Sequence, residues 1–275
     1  MVNNAFTIDV EDWYHLCGLD EVPSIPPARR RVVPNVERIL ALLAEFDVRA
    51  TFFVLGSVAE EEPTLVPMIA AAGHEIASHG YSHRLVTELG PELFRDELRR
   101  TGEILERQSR QRPVGFRAPQ WSISMTATPW ALTILREEGY RYDSSCNPLP
   151  VVGEANGPRF PFVVETPAGP LLEIPPMVTP SFLGNLPTGG GWGFRFFPLA
   201  MIAGTMAGLN AAGNSAVLYL HPREMEPAGP RLRLSLLREF AAYGPRTNPE
   251  RRLKHLLQRF SFGTLRQLEE QWERA

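Results

Sequence analysis

AFTIDVEDW, residues 5–13, joins a run of apolar and β-branched residues to three carboxylates within four positions. The run reads as a strand buried on both faces, as in parallel sheets, and it stops where the charge begins. A Pro-rich loop from Val22 to Pro34 follows. Val36, Ile39, Leu40, Leu43 and Phe46 then recur at helical spacing behind Asn35, the expected N-cap. The pair repeats along the chain. RATFFVL (49–55) predicts a second strand, a helix ends near Gly73, and residues 74–77 form a third strand. A helix over 91–108 leads to a fourth strand at 114–116. Residues 129–138 form a helix with Thr128 as cap, Pro129 in its first position and Gly139 at its end, and Tyr142 opens a fifth strand. Recurring βα units predict a parallel α/β sheet or barrel, with function at the C-terminal ends of the strands.

Beyond that point the pattern loosens. Residues 147–195 are rich in Pro and Gly, with strand candidates at 162–165 and 171–174. A helix near 198–212 leads into a buried strand at 216–220, and three helical stretches begin behind Gly229, Asn248 and Thr264. We read one domain over 1–275, with a core of about 5–145 and 215–224 and a loop-rich elaboration over 147–213 and 225–275.

Of the 275 residues 44% are hydrophobic and 21% charged, with a formal charge of −3, which excludes a disordered chain. The 31 acids balance the 28 bases, so no long-range field favours nucleic acid or an anionic membrane. The most lipid-like stretch, 196–213, is broken by Pro198, Gly204 and Gly208 and falls short of the roughly 20 apolar residues of a spanning helix. It predicts a packed helix and no integral membrane segment. Cys17 and Cys146 cannot build a disulfide framework, and no signal-peptide pattern follows Met1, so a cytoplasmic location is expected. The oligomeric state is not legible.

Polar clusters fall at strand ends: Asp9, Glu11 and Asp12 after the first, His79 and His83 after the third, Arg117 to Trp121 after the fourth, Asp143 at the fifth, and His221 to Glu224 after the late strand. One helical turn would bring His79 and His83 to one side. With one acid they form a metal triad that leaves positions for water and substrate. The acidic cluster supplies that acid, and a bound cation would relieve its self-repulsion. His74 and His255 read as structural or solvated.

The ordered set TIDVEDW, ATFFVLG, GHEIASHGYSH, GFRAPQWS, YDSS and LYLHP resembles the polysaccharide deacetylase family, carbohydrate esterase family 4. The opening motif and Gly189-Gly190-Gly191-Trp192 further resemble a bacterial branch found with exopolysaccharide and exosortase gene sets. The resemblance implies a distorted (β/α) barrel, one divalent metal ion, usually zinc, and hydrolysis of N-acetyl groups from a glycan. By that resemblance His79, His83 and an acid of the opening motif hold the metal. Asp9 is the base, Arg117 pairs with it, His221 is the general acid, and Asp143 orients His221. A backbone N–H near Gln120 meets the oxyanion, and Trp121, Trp13 and Trp192 offer sugar-stacking faces.

The third metal ligand stays open. Residues two apart on a strand share a face, so Asp9 and Glu11 point together while Asp12, past the strand end, is free to turn back. Asp12 is the expected ligand and Glu11 the alternative. The leading function is deacetylation of a glycan or a lipid-linked sugar intermediate. The alternatives are an amidohydrolase on a small cyclic amide or ureide and a non-catalytic glycan-binding protein.

Overall fold

A computed structural model describes residues 4–16, 23–150, 153–154, 157–244 and 248–274. Its first half alternates as the hydrophobic pattern dictates: β1 (Asn4–Val10), α1 (Val32–Glu45), β2 (Thr51–Val54), α2 (Gly56–Glu61), α3 (Leu65–Ala71), β3 (Glu75–Ser78), α4 (Val86–Ser109), β4 (Gly115–Phe116), α5 (Pro129–Glu137) and β5 (Tyr142–Asp143). The second half holds β6 (Phe162–Thr166), β7 (Gly169–Glu173), β8 (Thr179–Ser181), β9 (Gly184–Leu186), α6 (Gly191–Phe196), α7 (Leu199–Ala211), β10 (Val217–Leu220), α8 (Leu236–Tyr243), α9 (Pro249–Leu257), β11 (Phe262–Gly263) and α10 (Leu265–Trp272).

The main sheet runs β10-β1-β2-β3-β4-β5-β7-β6, with β11 also on β1. Every pair in it is parallel except the β6–β7 hairpin. This curled sheet is the distorted barrel expected, and both halves of the chain build it, since β10 pairs with β1 and β7 with β5. Strands β1 to β5 are buried on both faces because helices cover them, whereas the β6 edge is partly exposed. Val10, Phe52, Val54 and Leu218 pack with Val36, Ile39 and Leu43 of α1 in the largest cluster of the core. No helix among the described residues is long and apolar enough to cross a membrane, and the stretch expected to pack does so as α7, through Ile202, Ala203 and Met206.

Several local expectations shift. Helix α1 starts at Val32 with Arg31 as its cap, so Asn35 is a buried helical residue and not the N-cap. Pro34 sits in the first turn, where a missing N–H costs nothing. Thr128 caps α5 only in position, its hydroxyl accepting from Ser124 N instead. Helix α4 begins at Val86, with a kink at Gly90 (φ 70°). The β8–β9 hairpin and β11 were not anticipated, being three and two residues long. Cys146 is a free, buried thiol, and Cys17 lies outside the described residues.

The glycines before Trp192 have a packing reason. Gly190 bridges to Tyr219 on β10, and a Cβ there would lie 2.2 Å from the Tyr219 carbonyl oxygen. Only glycine lets the two backbones meet, and the contact seats α6 beside the end of β10.

Candidate active site

Carboxylates, imidazoles and guanidinium groups converge at the C-terminal ends of β1, β3, β4 and β10. Alternation on β1 turns Asp9 and Glu11 into the site while Val10 enters the core, as the two-residue period requires. His79 and His83 follow β3 on a loop that is not a helical turn. Gly80 (φ 74°) and His83 (φ 61°) adopt left-handed backbone, and Glu97 on α4 accepts the N–H groups of Tyr81 (3.0 Å) and Ser82 (3.2 Å). That loop, not helical spacing, brings the imidazoles together.

Glu11 Oε1 lies 3.1 Å from His79 Nε2 and 3.0 Å from His83 Nε2, all three side chains buried. Glu11 Oε2 accepts from Arg223 Nη1 at 2.9 Å. Burial opposes ionisation of Glu11, but the charges of His83 and His221 and hydrogen bonds with both loop histidines outweigh it. The carboxyl is held well below its usual range. Burial also opposes the charged form of His79, and the bond to Glu11 with the field of Asp9 raises its pKa instead. His79 Nδ1 sits 2.7 Å from the Arg117 carbonyl, an acceptor that fixes a proton on Nδ1 and turns Nε2 toward Glu11.

Arg117 is fully buried and donates from Nη1 to Asp9 Oδ1 and Thr7 Oγ1, both at 2.7 Å, and from Nη2 to Ser144 Oγ at 2.9 Å. Its guanidinium lies 4.2 Å from the Phe53 ring centre and 4.9 Å from that of Trp121. Three hydrogen-bonding residues and two flanking rings fix its plane, so Asp9 is held in one orientation. The other Asp9 oxygen faces His221 Nε2 at 3.9 Å. His221 Nδ1 lies 3.4 Å from Glu224 Oε2, which also accepts His221 N–H at 3.0 Å. Burial would raise Glu224, but His221, Arg195 and Arg223 bring it down to about 2. Arg195 Nε is 2.9 Å from its other oxygen.

Three expected roles go elsewhere. Asp12 does not reach the histidines. It accepts Trp13 N (2.7 Å) and Arg31 N (2.9 Å), tying the strand end to the start of α1, so Glu11 stands in the place expected of it. Asp143 does not touch His221. It accepts Ser145 Oγ at 2.6 Å and bonds to Glu173, its register partner on β7, while Glu224 occupies the orienting position. Trp13 is 3% exposed with its indole N–H on the Arg29 carbonyl, which leaves no sugar face. Trp192 stacks on Phe196 (4.5 Å, 13°) and meets Phe240, so its ring is taken up by an aromatic cluster. Trp121 is half-buried against Arg117 and Tyr219, and Gln120 beside it is left-handed at φ 55°. Glu224 and Arg223 fall in the strand-end cluster read from the sequence but without an assigned role, and Arg195 and His15, whose ring lies 5.5 Å from that of His83, were not singled out. Glu224 had a signal, since an acid three residues after His221, across Pro222, is the pattern of a capped turn.

A family model described as polysaccharide deacetylase matches residues 20–142. The chain carries a polysaccharide deacetylase domain. A second model, a domain of unknown function designated DUF3473, matches residues 144–270. The peptidoglycan-N-acetylglucosamine deacetylase of Bacillus cereus is 37% identical over 101 residues, 36% of this chain and 37% of that protein. A chitooligosaccharide deacetylase of Rhizobium leguminosarum is 41% identical over 68 residues, 25% of this chain and 32% of that one. The chain spans about a third to a half of the length of the first curated relatives it matches. A structure from Mycobacterium smegmatis, assigned as a polysaccharide deacetylase, superposes with a TM-score of 0.59 at 28% identity, over 86% of this chain and 76% of that one. One from Pseudomonas aeruginosa shares the fold at 19% identity, with a TM-score of 0.64 over 99% of this chain and 91% of that one. The deacetylase match contributes His79, His83 and Arg117 to the site, and the DUF3473 match contributes Arg195, His221, Arg223 and Glu224.

Proposed function

We propose that the protein is a metal-dependent hydrolase that removes N-acetyl groups from a glycan, its substrate a lipid-linked sugar intermediate of exopolysaccharide synthesis met on the cytoplasmic side. The observation that carries this reading is the meeting of Glu11 Oε1, His79 Nε2 and His83 Nε2 beside the Arg117–Asp9 pair and His221. The donor set fits a divalent ion such as zinc. Tetrahedral ligands about 2.0–2.1 Å from an ion stand roughly 3.3 Å apart, and the Glu11–histidine separations are 3.1 and 3.0 Å. The His79 Nδ1 contact leaves Nε2 as the donor atom.

A cation held by these three residues supplies Lewis-acid chemistry, acidifying water and polarising the amide carbonyl. Asp9 takes the proton from the attacking water, with Arg117 fixing its carboxylate. As the C–N bond breaks, His221 gives a proton to the departing amine nitrogen, a poor leaving group as an anion, so acetate and a free amine result. Glu224 holds His221 with Nε2 toward Asp9. The backbone N–H at Gln120 meets the oxyanion, and Trp121 is the remaining sugar face.

Acetate release from an N-acetylated chitooligosaccharide, measured with and without added zinc after chelation, tests the reading. Zinc-dependent release that disappears in Asp9→Asn is expected. Metal-loaded protein that releases no acetate but opens a cyclic ureide would replace this reading with the amidohydrolase.

A further inference from the structure

We infer that α8, with the aromatic cluster beside it, is a docking surface for an anionic lipid bilayer. None of the described side chains of α8 is buried, although its sequence has an apolar face. Leu236 is 88% exposed and Phe240 47%, and Phe196 of α6 adds 48% beside them. The Trp192 ring lies against both phenylalanines and backs the patch from beneath, its indole nitrogen buried. Contiguous exposed apolar surface of this kind marks an interaction site.

The charge around the patch selects the occupant. Between Gly229 and Gly244 lie Arg231, Arg233 and Arg238 against one acid, Glu239, in a chain whose formal charge is −3. Two copies meeting through this face would set arginine against arginine. A bilayer with anionic headgroups offers the opposite charge at its surface and an apolar layer beneath for Leu236 and Phe240. Basic residues around an aromatic and leucine face are the composition of helices that lie in a membrane interface. The attraction is local, since exposed charges are screened beyond about 8–10 Å in ordinary salt.

The same helix is tied to the candidate active site. Arg195 donates from Nη1 to the Gly244 carbonyl (2.8 Å) and from Nη2 to that of Ala242 (3.1 Å), and its Nε pairs with Glu224, the partner of His221. A chain seated through α8 therefore holds His221 near the lipid surface, where a sugar on a lipid anchor would be presented. That last step rests on the proposed deacetylase reading. The docking does not.

Flotation with vesicles of phosphatidylcholine alone, and of phosphatidylcholine mixed with phosphatidylglycerol, tests the surface without any substrate. The protein is expected to float with the anionic vesicles only. Leu236→Ser/Phe240→Ser should weaken binding by at least about tenfold, and Arg233→Glu severalfold, the latter difference vanishing in high salt. Unchanged melting curves and unchanged acetate release from a soluble chitooligosaccharide would show that these variants fold. Wild-type protein that floats with neither vesicle, or variants that float as well as wild type, would overturn the proposal. So would a concentration-dependent dimer that the double variant turns into a monomer, which would assign the face to a second copy. Flotation without acetate release would leave the docking surface standing and reject the deacetylase reading.

Discussion

Two buried carboxylate clusters stand at the C-terminal end of the sheet, and their counter-charges differ. Around Glu11 lie His79, His83, Arg223 and, at 4.0 Å, His221. Around Asp143 lie Glu173 and Cys146, and the hydrogen bonds shown to the two acids among the described residues come from Ser145 Oγ and Cys146 N, not from a basic side chain. Glu11 is therefore held ionised, as a cation site needs. Burial raises Asp143 to about 6 and Glu173 further, and a hydrogen bond between two carboxyls requires one of them to keep its proton. The Cys146 thiol is pushed up as well, first by burial and then by Glu173. Similar ligand types at similar depth thus have opposite fates, set by what surrounds them. The first cluster is suited to hold an ion, and the second is a proton-sharing joint between β5 and β7.

The largest effect that can break this contrast comes from Glu11→Gln. It should lose the metal by elemental analysis and drop acetate release to background, whereas Asp12→Asn should keep the metal and lose about 1–2 kcal/mol of stability from weakened bonds to Trp13 and Arg31. Metal lost in Asp12→Asn and kept in Glu11→Gln would reverse the assignment. Next, Asp9→Asn and His221→Ala should each keep the metal while lowering amide hydrolysis by roughly 10²–10⁴. The His221 loss should be smaller on an activated ester, whose leaving group needs little protonation, and equal losses on both substrates would remove the acid role.

Glu224→Gln should cost roughly tenfold in turnover and leave a pH signature. The folded carboxyl titrates at about 2, below its unfolded value, so its stabilisation is complete above the unfolded value of about 4.3 and is lost as pH falls through 2. The melting difference between wild type and variant should shrink on acidification, and a constant difference from pH 7 to 3 would contradict the pairing. The smallest effect belongs to the Asp143–Glu173 cluster. Its carboxyls titrate above their unfolded values, so wild-type stability falls as pH rises from about 4 through 6. Glu173→Gln should flatten that fall, by roughly 2–4 °C for each kcal/mol recovered, with acetate release changed less than about twofold. A large loss of turnover would make the second cluster part of the chemistry.

The βα alternation was legible because the strands are apolar runs bounded by turn residues. The shared face of Asp9 and Glu11 was legible because a strand has a period of two. Asp12 was not, since its partner is the backbone N–H of Arg31, across a loop whose path no local pattern encodes. The partner of His221 was sought at a distance in Asp143, when a short turn supplies it three residues on in Glu224. Trp13 and Trp192 illustrate the same limit, since an aromatic ring gives no sequence sign of whether a neighbour covers it. Gly189 to Gly191 could be seen as unusual but not explained, because the need for glycine at Gly190 arises from Tyr219, far along the chain.

The left-handed backbone at His83 bears on how the loop should be probed. Asparagine and histidine tolerate φ near 61°, whereas alanine resists it and β-branched residues resist it strongly. An alanine scan at this position would confound a lost imidazole with a respooled loop, and Glu97, bound to Tyr81 and Ser82, would register the second change. His83→Asn separates the two, because it removes the imidazole while leaving the main chain free to trace the same path.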